Sequence, residues 1–181
     1  EKFERKLVRD MKMKTVKQTL VLFLVNNLFA GAYLFEVKRR LLNGIGYFLG
    51  EGTKVVGPVY CPGKLKTGSN CWLGRNLTIH GNGTVEIDDN CYTAPDVTFL
   101  TGSDEALAQE GEAEEDQKPS ICVGEGCWIG TGVILCQNVT IEKGCMIIPN
   151  TCVMKNMPEN TMVGGVPARI MKKLDEKGLY D

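Results

Sequence analysis

The sequence predicts an all-β fold, a parallel β-helix built of six-residue repeats. Aliphatic residues recur at every sixth position from Val123 to Val153 without a polar interruption. A second column of mostly small or medium side chains stands two positions before each of them. An α-helix repeats about every 3.6 residues and a flat strand every two, so a period of six with two inward positions fits neither. It fits short strands that turn corners, three to a coil.

The same repeat occurs earlier in the chain, from Val55 to Phe99. It slips by two residues after His80-Gly81-Asn82-Gly83 and resumes at Ile87, which indicates a glycine-rich insertion at a corner. Successive coils are expected to stack at the usual spacing between strands, about 4.8 Å. Together the two blocks of repeats predict nearly five coils.

The composition excludes some classes of function. Lysine and arginine total 21 against 22 acidic residues, so no overall positive field would draw the chain to nucleic acid. The 21 glycines and the few aromatic residues favour many tight turns and small interior side chains over a large aromatic core.

The cysteines are predicted to be core residues for the most part. Five of the eight occupy inward registers, where a small hydrophobic side chain packs well. These five are Cys61, Cys71, Cys91, Cys127 and Cys145. No pair has the C-x-x-C spacing of a zinc site, and the single His80 cannot complete a Cys/His cluster, so we expect no metal. The first residues are too charged for a secretory leader, which favours a reducing, cytoplasmic location.

Residues 1–50 predict a helical segment ahead of a β-helix at 51–174. Seven bases and three acids precede residue 18, and no charge follows until Glu36. Three alternatives remain open: a membrane span, a helix on the inner membrane surface with residues 1–40 near anionic lipid, or a hairpin that caps the open end of the β-helix. Asn26, Asn27 and Gly31 interrupt the apolar run, which favours the cap.

An acidic excursion at 103–119 separates the two blocks of repeats. It carries seven acids and one lysine and has no aliphatic period. It is interpreted either as a solvated loop or as a lid over a site, since long loops inside a compact fold often carry function.

The motifs CWIGTGV, NVTI, MPENT and GGVPARI occur in the second block. From about Gly44 to Leu174 the chain resembles the bacterial hexapeptide-repeat acyltransferases, in particular the sugar O-acetyltransferases and the capsule-type acetyltransferases. The resemblance implies a left-handed β-helix, a homotrimer with active sites between neighbouring subunits, and acetyl-CoA as donor, with no metal. A short helix is expected at the C-terminal end.

The catalytic base is where the chain departs from the family it resembles. Transfer of an acetyl group to a hydroxyl needs a base for the hydroxyl proton and donors for the developing oxyanion. The family places a histidine just before the excursion, and Asp104 stands at that position here. An aspartate has an ordinary pKa of about 3.9, too low for an efficient base. His80 is therefore interpreted as the base, as an acceptor contact, or as the cap of a glycine-rich turn.

The resemblance also assigns residues to the two substrates. Asn76 and Trp128 match positions on the acceptor side. The cofactor side is predicted to comprise Gly130, Thr131, Pro149, Met154, Lys155, Arg169 and Lys172. The Gly130 and Thr131 amides would bond the cofactor or the oxyanion, and the basic residues at 169 and 172 would meet its phosphates.

Two hypotheses for function follow. The first is an acetyltransferase that acts on a hydroxyl of a saccharide or a related small acceptor, with His80 or Asp104 as base. The second is a catalytically silent trimer that binds a ligand or serves as a scaffold, because the histidine of the family is absent.

Overall fold

The computed structural model describes residues 16–61, 64–102 and 120–175. Within them, three sheets form the sides of a prism, as the period of six predicts, and all their strands are parallel except β17. Sheet A contains β1, β4, β7, β10 and β13, sheet B contains β2, β5, β8, β11, β14, β16 and β17, and sheet C contains β3, β6, β9, β12 and β15. The fold is the left-handed parallel β-helix that the sequence and its family resemblance predict.

The strands are short because each side of the prism is short. They are β1 Phe48–Leu49, β2 Lys54–Val55, β3 Val59–Tyr60, β4 Lys64–Thr67, β5 Trp72–Leu73, β6 Leu77–His80, β7 Thr84–Ile87, β8 Tyr92–Thr93, β9 Thr98–Leu100, β10 Ser120–Val123, β11 Trp128–Ile129, β12 Ile134–Leu135, β13 Thr140–Ile141, β14 Met146–Ile147, β15 Cys152–Val153, β16 Thr161–Gly164 and β17 Arg169–Lys173. Ile129 pairs with Ile147, one regular coil of 18 residues later.

The predicted inward registers form the core. Ile129, Leu135, Ile141 and Ile147 are fully buried. Cys71, Cys91, Cys127 and Cys145 are also buried, one in each successive coil, and each thiol donates to a backbone carbonyl of the following coil at 3.0 to 3.1 Å. The cysteine prediction is confirmed for these four, whereas Cys61 is half-buried and packs against the core.

The turns of successive coils stack into three columns, which we name the AB, BC and AC corners after the sheets they join. At the AB and BC corners most turns contain a residue of positive φ, such as Asn70, Asn76, Asn90, Asp96 and Asn150. Asparagine, aspartate and glycine adopt this left-handed conformation at the lowest cost. The AC corner holds both irregularities, the insertion after His80 and the excursion at 103–119.

The described residues before β1 close one end of the prism, the arrangement that the cap alternative expects. Helix α1 covers 16–28, with a π-helical turn at Leu24–Leu28, and α2 covers Phe35–Asn43. The Asn26 side chain donates to the carbonyl and accepts the amide of Val59, both at 2.9 Å, on the terminal strand of sheet C. Asn43 does the same for Leu49 on the terminal strand of sheet A.

Sheet B is capped by Gly31 and Lys38. The Gly31 amide and the Lys38 ammonium both donate to the carbonyl of Val56, at 2.8 and 3.0 Å. Lys38 is fully buried, and its ammonium lies over the rings of Tyr33 and Phe35. Burial lowers the pKa of Lys38 to about 8. No helix in the described part of the chain is long and apolar enough to cross a bilayer.

The expected short C-terminal helix was wrong at Arg169–Lys173, which form strand β17. It pairs antiparallel with β16 and covers the last strand of sheet B. The reason is the open side of β16, whose amides and carbonyls need partners that a helix would not supply.

Candidate functional site

His80 ends β6 at the AC corner. Its side chain is exposed, while its backbone pairs with Leu100 of β9 in the next coil. Leu100 is followed by Thr101 and Gly102, and the excursion begins at residue 103. The structure therefore places His80 directly below the point where the excursion leaves the β-helix. Asp104, the other candidate base, lies outside the described residues.

Thr101 connects the two coils at this point. Its hydroxyl donates to the His80 carbonyl at 2.7 Å and accepts the Gly83 amide at 3.0 Å, and its own amide donates to the same carbonyl at 2.9 Å. The side chain is completely buried. The chain is thus fixed on both sides of the insertion at residues 81–83.

Asn76 lies at the opposite end of β6, on the BC corner. Its side-chain amide donates to the Asp96 carboxylate at 2.8 Å, one coil above. Both residues are exposed and have positive φ, 57° and 61°. The pair presents a carboxylate and an amide to solvent, groups that can bond hydroxyls.

Thr131 and Pro149 stack on the BC corner in successive coils, above Asn76 and Asp96. Both are exposed. Gly130 lies beside them in a tight position, since a Cβ there would come within 2.6 Å of the Pro149 nitrogen. The Gly130 amide donates to the Ile147 carbonyl at 2.8 Å. The expectation that this amide is free to bond a cofactor or an oxyanion was therefore wrong, because the ladder between coils already uses it.

Trp128 is half-buried on the outer face of sheet B, two residues before Gly130. It pairs in register with Tyr92 below and Met146 above. Tyr92 stacks on Trp72 with ring centroids 6.1 Å apart. Because those two rings face each other along the prism axis, they form a cross-strand stack and show their edges to solvent.

The remaining candidates lie nearer the C-terminal end. Met154 and Lys155 are exposed on the AC corner, two coils above Leu100. Arg169 and Lys172 are exposed on β17, and Arg169 pairs with Gly164, which follows the BC corner column upward. Positive charge therefore ends the column that contains Thr131 and Pro149.

Within one chain, the candidates divide between two corners. His80, Met154 and Lys155 lie on the AC corner, whereas Asn76, Gly130, Thr131 and Pro149 lie on the BC corner. Sheet C separates the two. Along β6 alone, Asn76 and His80 are about 13 Å apart at the usual rise per residue of a strand. One chain therefore does not bring the predicted base together with the predicted cofactor contacts at Gly130, Thr131 and Pro149. Met154 and Lys155 share the corner of His80 but lie three coils above it.

Sequence reasoning missed Asp96 and Thr101. Asp96 follows Pro95 in a turn, and its partner Asn76 is one coil away, so the repeat alone could have paired them. Thr101 belongs to the TG sequence before the excursion, but nothing in the sequence indicates that its hydroxyl turns back to His80.

Comparison with known proteins places the chain among acetyltransferases. It is 31% identical over 150 residues to galactoside O-acetyltransferase of Escherichia coli K12, a match that covers 78% of this chain and 72% of the relative. It is 24% identical over 144 residues to galactoside O-acetyltransferase of Lactococcus lactis, which covers 78% and 70%. No family model matches the chain.

Solved structures share the fold. A hexapeptide-repeat acetyltransferase of Vibrio cholerae, solved as a complex with acetyl coenzyme A, superimposes with a TM-score of 0.73 at 23% identity. The superposition covers 92% of this chain and 90% of the Vibrio chain.

Proposed function

Because the chain belongs to the hexapeptide-repeat acetyltransferases, we propose that it moves an acetyl group from acetyl-CoA to a hydroxyl of a saccharide or a related small acceptor. The observation that carries this proposal is the match to the Escherichia coli galactoside enzyme over most of both chains. The relatives compared above are acetyltransferases by name, so they give no support to a silent scaffold.

His80 is the proposed base. It takes the proton of the acceptor hydroxyl as the oxygen attacks the thioester carbonyl. The tetrahedral intermediate then collapses, the carbon–sulfur bond breaks, and CoA leaves as its thiol after receiving a proton. The exposure of His80 and its position below the excursion support this role, since histidine is the side chain that most often serves as a general base. Asp104 is the alternative base.

The donor is proposed to lie along the BC corner. Thr131 and Pro149 would contact the pantetheine arm, and Arg169 and Lys172 would meet the phosphates at the upper end. Gly130 contributes by its lack of a side chain, which lets adjacent coils approach closely. Asn76 and Trp128 would contact the acceptor.

A homotrimer is proposed because the contacts divide between two corners. If the AC corner of one subunit faces the BC corner of its neighbour, His80, Met154 and Lys155 come opposite Thr131 and Pro149. Each site would then take its base from one subunit and its donor column from the next. Sedimentation velocity of the purified chain should give a trimer, and a monomer that turns over acetyl-CoA would refute the shared site.

Turnover tests the function directly. The purified chain, His80→Ala and Asp104→His are each incubated with acetyl-CoA and a panel of saccharides, and the released CoA thiol is followed. We expect the unchanged chain to release thiol only when an acceptor is present, and His80→Ala to be at least 100-fold slower. Release by Asp104→His alone would support the silent alternative, and an unchanged rate in His80→Ala would move the base to Asp104.

The location is proposed to be cytoplasmic, with peripheral contact at the inner membrane face. Val16, Leu20 and Phe23 form an exposed apolar stripe on α1, at 67%, 57% and 54% exposure, next to a sequence of seven bases and three acids. Such a surface favours anionic lipid. Co-sedimentation with vesicles that contain phosphatidylserine should exceed that with neutral vesicles and fall in Leu20→Ser. Equal recovery would leave the stripe as a protein contact.

A further inference from the structure

The hydroxyl of Thr101 is used entirely by the coil below it. It donates to the carbonyl of His80 and accepts the amide of Gly83, at 2.7 and 3.0 Å. These two groups stand at either side of the insertion at residues 81–83, which is the point where the regular ladder between coils is interrupted. One buried side chain thus joins the two sides of the insertion, in addition to the backbone bond from the Thr101 amide to the His80 carbonyl.

The fit around this contact is close. Gly81 has φ 85°, and a Cβ there would lie 2.9 Å from the Thr101 hydroxyl and 2.8 Å from the Gly102 nitrogen. The turn that follows His80 therefore packs directly against the residues at which the excursion begins. Because the His80 side chain is exposed, little packing holds the imidazole, and the backbone of His80 sets its orientation.

We propose that Thr101 is a positioning residue that fixes the His80 backbone and thereby aims the imidazole at the acceptor hydroxyl. This inference rests on the proposed role of His80 as base. Thr101 touches neither substrate, and its effect on the reaction passes through the His80 carbonyl. A small rotation of that carbonyl displaces an exposed ring by about an ångström, which is enough to reduce turnover as much as 100-fold.

The same coil supplies a matched control. Thr93 is also completely buried, and its hydroxyl donates to the Trp72 carbonyl at 3.3 Å and accepts the Gly74 amide at 3.2 Å. It bridges the coil below in the same way but lies between sheet B and the BC corner, away from His80. Thr93→Val therefore removes an equivalent buried hydroxyl without acting on the base.

The experiment compares Thr101→Val, Thr101→Ser and Thr93→Val in the full chain. We measure kcat, KM for acetyl-CoA, the pH dependence of kcat/KM and the thermal midpoint. His80 is the only histidine, so its ring also gives one resolved set of NMR signals for a direct titration. Thr101→Val should lower kcat 10-fold to 100-fold, shift the pH profile and the ring titration together, and leave KM within about twofold. Thr101→Ser should restore both.

Thr93→Val should lower the thermal midpoint to a similar extent while its kcat and pH profile stay close to those of the unchanged chain. If Thr101→Val and Thr93→Val lose the same activity, or if the pH profile and ring titration of Thr101→Val do not move, Thr101 is only structural and the inference fails. A failure of the proposed function would appear differently, as full activity in His80→Ala or as no thiol release from the unchanged chain.

Discussion

The BC and AC corners join the same sheet C to its two neighbours, yet they are built differently. The BC corner repeats one compact turn in coil after coil, with Asn76, Asp96, Gly132 and Asn150 at the left-handed position. At the AC corner, by contrast, the coil of His80 has a two-residue insertion and the next coil opens into the excursion at 103–119. A regular column suits an extended ligand such as the proposed cofactor, and an irregular one leaves room for a second substrate.

The difference suggests a division of labour in which the AC corner determines the rate of the chemical step and the BC corner determines binding. Each of the following substitutions can break or sharpen that division.

The largest effect is expected for His80. His80→Gln should lower kcat at least 100-fold, because the proposed base is lost, while the thermal midpoint changes little at an exposed side chain. Thr131→Ala on the BC corner should instead raise KM for acetyl-CoA several-fold with kcat nearly kept. Steady-state kinetics of both variants test this division between rate and binding. If His80→Gln changes only KM, the AC corner serves binding and the division is wrong.

The next largest effect is expected from adding a methyl group at each corner, because the two corners differ in how closely adjacent coils pack. In Gly130→Ala the new Cβ would meet backbone of the next coil at 2.6 to 2.8 Å, so unfolding free energy should fall by about 3 kcal/mol. At Gly102 on the AC corner, the nearest atom of the described residues to such a Cβ is the Gly81 Cα, at 3.9 Å. Gly102→Ala should therefore change stability by less than about 0.5 kcal/mol. Urea unfolding of the pair measures both, and similar losses would contradict the contrast.

A smaller effect is expected from the Asn76 amide. Asn76→Gly keeps the left-handed turn but removes the group bonded to Asp96, so KM for the acceptor should rise about fivefold, roughly 1 kcal/mol. Asn90→Gly is the matched change at the AB corner, where Asn90 has φ 60° and bonds Glu125. It should leave both KM values unchanged. An equal rise in Asn90→Gly would point to a general loosening of the coils.

The smallest effect should come from the cap, which lies below all three corners. Burial lowers the pKa of Lys38 to about 8, so between that pH and the ordinary lysine pKa the unfolded chain binds more protons than the folded one. Unfolding free energy should therefore rise with pH across this window, by on the order of 1 kcal/mol. In Lys38→Met this rise should be absent, which urea unfolding measured across the same pH range would show. If the unfolding free energy of the unchanged chain instead falls with pH relative to that of Lys38→Met, the proposed cause is wrong.

The sequence predicted the repeating part of the fold because every coil has the same requirement. Val123, Ile129 and Leu135 must each fill the same interior, so their spacing alone reveals the coil. The insertion after His80 was also visible as a slip in this spacing. The period could not predict features that occur only once. At one end Asn26 and Asn43 act through side-chain amides, and at the other end β17 is a strand because β16 needed a partner.

The residues of the candidate site come from the resemblance and stay a prediction, whereas the structure adds where they lie. The resemblance identified Thr131 and Pro149, and the structure places both in the same column. The Gly130 amide was misjudged because a sequence does not show which amides the ladder has already used. Thr101 was missed for a related reason, since its role depends on a contact with His80, 21 residues earlier and in the coil below.

The asparagine caps bear on a hazard that every stack of parallel strands carries. Such a stack presents at its end the same amides and carbonyls that a newly arriving strand would need, and it can template the growth of a fibre. Here the first amides and carbonyls of sheets A and C are already occupied by Asn43 and Asn26. Two neutral side chains therefore block the addition of a strand from another molecule at this end. Asn26→Leu is the substitution most expected to allow such end-to-end association.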